Sequence, residues 1–139
     1  MRQEIKWTLS GVVFGLGLWL IEVSPAYAVK LSSDTAQKLI TKSGCFACHA
    51  IDTMKIGPAY KDVAAHYRTP SPETTAYLKG KKPIDYLMEK VRAGTKPGVN
   101  KNWIKSKDGK PYGMMTPNPA SRISDADLHD LIEYILSLK

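Results

Sequence analysis

The sequence predicts an all-α domain of about four to five short helices. Three observations carry that prediction. Apolar residues recur at helical spacing in several separate segments, and cap or stop residues bracket those segments. No stretch shows the sustained apolar–polar alternation of a half-buried strand.

In chain order, the first helix can be capped by Ser33 or Asp34 and carries Ala36, Leu39 and Ile40 on one face. Gly44 stops it. A second pattern runs from Tyr60 to Tyr67, aligning Tyr60, Val63, Ala64 and Tyr67. A third begins at Pro83, whose fixed φ suits a first helical position, continues through Ile84, Leu87, Met88 and Val91, and ends at Gly94. The last helix is the clearest. Ser124 can cap it, and Asp125 and Asp127 occupy its first turn, where the helix dipole favours negative charge. Leu128, Leu131, Ile132, Ile135 and Leu136 then form one stripe, read here as core packing. Two stretches read as loops: Thr69–Lys82, with one helical turn after Ser71, and Thr95–Pro119. A structureless run as long as the second is unusual in a compact domain unless it serves a site.

The first 28 residues read as an export signal. Arg2 and Lys6 precede an uncharged run from Trp7 to Ile21, and Ala26-Tyr27-Ala28 offers small residues where a signal peptidase reads. That run is shorter than the roughly 20 residues of a spanning helix, and Glu22 interrupts it. Cleavage after Ala28 is therefore expected, leaving one domain at 29–139 in the periplasm without a stable membrane span. The formal net charge of +7 is unchanged by this processing, because the leader carries two basic and two acidic residues. Such a charge suits an acidic partner. Export and the lack of an aromatic–basic pattern argue against nucleic acid.

Two cysteines in an exported chain invite a disulfide, but both lie in Cys45-Phe46-Ala47-Cys48-His49 and would close no long loop. This is C-x-x-C-H, the haem-attachment signature. Thiols about one helical turn apart match two vinyl groups of one haem, and the next residue, His49, then aims its imidazole at the iron. A redox C-x-x-C pair would expect a βαβ context, which is absent. A zinc site would want a second Cys or His pair. His66 and His129 read as surface residues, and Met54 and Met88 as packing residues. A small domain with loops this long has a modest core, for which a covalent haem is a large apolar filler.

Residues 42–68 and 114–139 resemble class I c-type cytochromes, in particular the small bacterial monohaem cytochrome c-551 group. The likeness lies in Gly44-Cys45-Phe46-Ala47-Cys48-His49-Ala50-Ile51-Asp52, in Gly57-Pro58-Ala59-Tyr60-Lys61-Asp62-Val63-Ala64-Ala65, in Met115-Thr116-Pro117-Asn118 and in the C-terminal Tyr134-Ile135-Leu136-Ser137-Leu138. The resemblance implies the class I cytochrome c fold, helices wrapped around one covalently bound haem c. It implies thioethers from Cys45 and Cys48 and axial ligation of iron by His49 and Met115. It further implies that the Pro58 carbonyl accepts the Nδ1 proton of His49 and that Asn118 bonds near the Met115 sulfur. Trp103 and Lys90 would approach the haem propionates. The sequence departs from the family at Gly113-Met114-Met115-Thr116, where a proline usually adjoins the ligand, so Met114 competes with Met115. It also carries an insertion with Lys101, Lys105, Lys107 and Lys110.

The function so implied is not enzymatic. It is that of a monomeric, periplasmic single-electron carrier between respiratory partners: a quinol-oxidising complex, a terminal oxidase, or a periplasmic reductase or dehydrogenase. The long basic loops leave a dedicated electron-accepting subunit of a dehydrogenase as an alternative. The doubled methionine leaves a haem enzyme or gas sensor with an open iron position as another.

Overall fold

The computed structural model describes residues 31–95 and 112–139. The expected signal peptide therefore lies outside the described residues, as do Trp103 and the lysine-rich insertion. Five α-helices follow in order: α1 Ser33–Lys42, α2 Tyr60–Arg68, α3 Pro72–Leu78, α4 Pro83–Ala93 and α5 Asp125–Ser137. A single 3₁₀ turn, Cys45–Ala47, follows α1, and the described residues contain no strand.

Local chemistry sets the ends of these helices. Ser32 caps α1, one residue before the expected caps Ser33 and Asp34. Its Oγ accepts the Thr35 N–H at 3.3 Å, three residues on, which is the reach an N-cap side chain needs. Gly44 adopts φ +76°, a left-handed conformation that turns the chain out of α1 and into the cysteine turn. The stretch expected as a loop with one helical turn forms the two-turn helix α3. Ser71 caps it by accepting the Thr74 N–H at 3.1 Å, and Pro72 takes its first turn. Ser124 caps α5 in the same way through Asp127 N–H at 3.1 Å, as expected.

The core forms where α5 packs against α1, α2 and α4. Leu128, Leu131, Ile132 and Ile135 of α5 are buried, and Tyr134 joins them although it lies off the apolar stripe. They meet Ala36 and Ile40 of α1 and Tyr60, Val63 and Tyr67 of α2. Helix α4 contributes only partly buried residues, Ile84, Tyr86, Leu87, Met88 and Val91.

Two side chains sit differently from expectation. Met54 is exposed rather than packed. His66 is half-buried rather than a solvated surface residue: its Nε2 pairs with the Thr74 hydroxyl at 2.9 Å and so ties α2 to the short α3. Thr74 is itself buried. His129 is exposed, as expected.

Leu131 is 2% exposed at the centre of the α5 contacts, so Leu131→Ala should open a cavity. A loss of about 2–5 kcal/mol in denaturant unfolding is expected. Burial lowers the pKa of His66 below its usual 6.5, against a smaller opposing effect of Glu73. The unfolded chain then takes up a proton that the folded chain resists. Stability should therefore fall as pH drops below about 6.5 and level off below the folded value. The slope should be shallower in His66→Gln.

Candidate functional site

The cysteine turn, the loop before α2, the inner faces of α4 and α5, and residues 112–116 and 118 enclose one apolar cavity. Cys45, Cys48, His49, Pro58 and Met115 all line it, together with Leu87, Val91, Leu128, Leu131 and Ile132. The chain thus brings Met115 into one cavity with Cys45, 70 positions earlier in the sequence.

The His49 end is built by short-range backbone bonds. Gly57 N–H donates to the Cys48 carbonyl at 2.9 Å, Tyr60 N–H to Ala50 at 2.9 Å and Lys61 N–H to Ile51 at 3.0 Å. These bonds fold residues 48–61 into a closed loop that delivers the Pro58 carbonyl 2.8 Å from His49 Nδ1. A carbonyl only accepts, so Nδ1 carries the proton and Nε2 keeps its lone pair. The ring stacks on Tyr60, with centroids 5.2 Å apart and planes 13° from parallel. Burial lowers the His49 pKa, and the Pro58 bond opposes this more weakly, so the neutral ring is favoured. Gly57 is required sterically: a Cβ there would come within 2.5 Å of His49 Cε1. Burial also raises the Tyr60 hydroxyl pKa, helped by the nearby Cys45 and Cys48, so Tyr60 stays a neutral wall.

The methionine end is a strap, residues 112–119, held by long-range bonds. Thr95 N–H donates to the Met115 carbonyl at 2.8 Å, and Met115 N–H donates back to Thr95 Oγ1 at 2.6 Å. Asn118 N–H donates to the Val91 carbonyl at 2.9 Å, and Gly113 N–H to Ile56 at 2.9 Å. Gly94, with φ +68°, allows this approach, since a Cβ would lie 2.6 Å from the Met115 carbonyl oxygen. Met114 and Met115 both line the cavity, but Met115 is partly buried and Met114 is 58% exposed. The bonds of the Asn118 side chain run to the Ser43 carbonyl at 3.1 Å and to Cys45 Sγ at 3.7 Å rather than to Met115. The sequence gives no role to Thr95, places Gly57 only within the family likeness and marks Gly94 only as a helix stop.

The residues present fit a haem c. Cys45 and Cys48 are not paired with each other, are half-buried and both line the cavity, where their sulfurs can attach one haem. No residue of α4 is fully buried, although Leu87 and Val91 face the cavity, so a flat apolar group would complete the burial of that helix. Lys90 also lines the cavity, where it can meet an anionic edge, and partial burial lowers its pKa.

This fold and site define a small haem-binding α-domain of the class I cytochrome c type. The cytochrome c family model matches residues 33–139. Cytochrome c-551 of Allochromatium vinosum is 36% identical over 100 residues, covering 72% of this chain and 82% of that protein. Cytochrome c-552 of Hydrogenobacter thermophilus is 31% identical over 103 residues, covering 74% and 81%. The crystal structure of wild-type Nitrosomonas europaea cytochrome c552 is 32% identical and superposes with a TM-score of 0.50, covering 74% of this chain and 99% of that one. The chain belongs to the cytochrome c family, as a small class I c-type cytochrome with one covalently attached haem c, and Cys45 and Cys48 fit its attachment motif.

Gly57→Ala should force His49 off the Pro58 carbonyl. A loss of about 1–3 kcal/mol in thermal or denaturant unfolding is expected from overpacking. The haem absorption spectrum should change with it, because the clash falls on the imidazole itself.

Proposed function

We propose that this protein is a periplasmic single-electron carrier in which His49 Nε2 and the Met115 sulfur would both hold the haem iron. The observation that carries this reading is the convergence of Cys45, Cys48, His49 and Met115 on one apolar cavity from two distant segments. Haem c supplies a one-electron centre when bound. The chain's residues do the rest. His49 is held in one tautomer by Pro58, which also raises its basicity as a ligand. A thioether ligand favours the ferrous state and raises the reduction potential, and the apolar lining acts in the same direction. With His49 and Met115 both holding the iron, the chain would leave no open position for a substrate, in keeping with a non-enzymatic role.

Phe46, Ile56 and Met114 are each more than half exposed. Ile56 and Met114 line the cavity, and Lys55 lies over the Phe46 ring at 3.8 Å. An apolar contact flanked by positive charge suits brief docking of acidic redox partners, and the net charge of +7 makes such encounters salt-sensitive. A quinol-oxidising complex, a terminal oxidase, or a periplasmic reductase or dehydrogenase fits this chemistry. Residues 1–28 act as the cleaved export signal in this reading, with 29–139 as the mature domain.

Absorption spectra of the oxidised and reduced holoprotein, with and without carbon monoxide, test the proposal. Low-spin haem, a sulfur-to-ferric-iron band and no uptake of carbon monoxide are expected. Met115→Ala should abolish the band and admit carbon monoxide, while Met114→Ala should leave both unchanged. Ready carbon monoxide binding by the parent protein would instead indicate an open iron position and an enzyme or sensor.

A further inference from the structure

The last turn of α4 presents Arg92 to three separate groups. Its Nη1 donates to the Asn118 carbonyl at 2.9 Å and its Nη2 to the Ile123 carbonyl at 2.9 Å. Nε and Nη2 also reach Asp125 Oδ1, at 3.1 and 2.5 Å. The guanidinium therefore joins the end of α4, the end of the methionine strap and the entry to α5. Both helix ends favour this arrangement, with a cation at the C-terminus of α4 and an anion in the first turn of α5.

We propose that Arg92 is a positioning residue for Met115, acting through the strap without touching the site. This rests on the reading of Met115 as the second iron ligand. Asn118 is fastened to α4 twice, through its N–H to Val91 and its carbonyl to Arg92. Thr95 fastens Met115 from the other side. The strap segment 115–118 is thus pinned at one end to the last turn of α4 and at the other to Thr95, two residues beyond that helix. A planar guanidinium is needed because the acceptors fan out, and an ammonium cannot meet both carbonyls and the carboxylate with fixed geometry. The two carbonyl bonds do most of the work. The Arg92 side chain is 23% exposed, whereas Asp125 is 75% exposed and solvent weakens that ion pair. Losing Arg92 leaves Cys45, Cys48 and His49 in place and frees the strap to release Met115 more often.

The test is imidazole titration of the ferric holoprotein, followed by the sulfur-to-iron band, with reduction potential and denaturant unfolding measured alongside. Arg92→Gln and Arg92→Lys are compared with Met115→Ala and with Tyr134→Phe, which loses only a contact to Ser33 between α1 and α5. Both Arg92 variants should bind imidazole about tenfold more tightly than the parent, as expected for lost charge-assisted hydrogen bonds. Their potentials should fall, and Asp125→Asn should show a smaller effect of the same sign. Tyr134→Phe should leave imidazole affinity unchanged even where its unfolding midpoint drops. Parent-like imidazole affinity in Arg92→Gln would overturn the proposal, as would parent-like behaviour of Arg92→Lys, since the effect would then be one of charge. If Arg92→Gln yields no holoprotein, Arg92→Lys and Asp125→Asn decide by the same criteria. A sulfur band that survives in Met115→Ala would mark failure of the ligand reading itself, and the role of Arg92 would fall with it.

Discussion

The hydrogen bond from His49 Nδ1 to the Pro58 carbonyl is the contact on which the rest of the site depends. It settles which ring nitrogen is available, and it does so with a backbone group that cannot rotate away. Everything nearby serves to hold that carbonyl. The three backbone bonds across residues 48–61 close the loop, and Gly57 removes the one side chain that would obstruct the ring. Tyr60 then stacks on the imidazole as the first residue of α2, so the ring's orientation is locked to the helix that packs on α5. A local turn thereby inherits the rigidity of the main core.

The two ends of the site are stabilised by different physics. The His49 end is short-range, and its partners lie within about a dozen positions along the chain. The Met115 end is assembled from α4, the strap and the approach to α5, so it exists only when those elements are docked. Helix α4 has no fully buried residue: Ile84, Tyr86, Leu87, Met88 and Val91 pack against the core only partly buried, Leu87 and Val91 also face the cavity, and Arg92 ties its end to the strap and α5. The fold is therefore firmest where α1, α2 and α5 meet and most dependent on its prosthetic group around α4.

This division explains what could be read from the sequence. The α5 stripe, the Tyr60–Tyr67 pattern, the proline start of α4 and the C-x-x-C-H turn are local signals, and each is found where periodicity and capping predict. Only one turn of the short α3 is legible, after Ser71-Pro72, because seven residues give too little periodicity to show its full length. The seating of His66 was hidden for the same reason, since its partner Thr74 belongs to that helix. Nothing in the sequence singles out Arg92 at the end of α4. Its three acceptors lie 26 to 33 positions away and carry no sequence pattern that names them. Asn118 was placed in the site by resemblance, but its actual partners, Ser43 and Cys45, can be identified only once α1 and the strap are brought together.

Thr95 and Met115 bond to each other in both directions, so the chain that leaves α4 returns to the same point. The two bonds close a loop of chain at this point, and the Gly113 N–H to the Ile56 carbonyl fastens its returning end a second time. Closing such a loop grows costlier only slowly, by about 0.6 kcal/mol for each doubling of its length. The span between these two residues can thus lengthen, shorten or change composition over evolution while the methionine stays in register. It is a place where a small electron carrier can acquire a new recognition surface without retuning its iron.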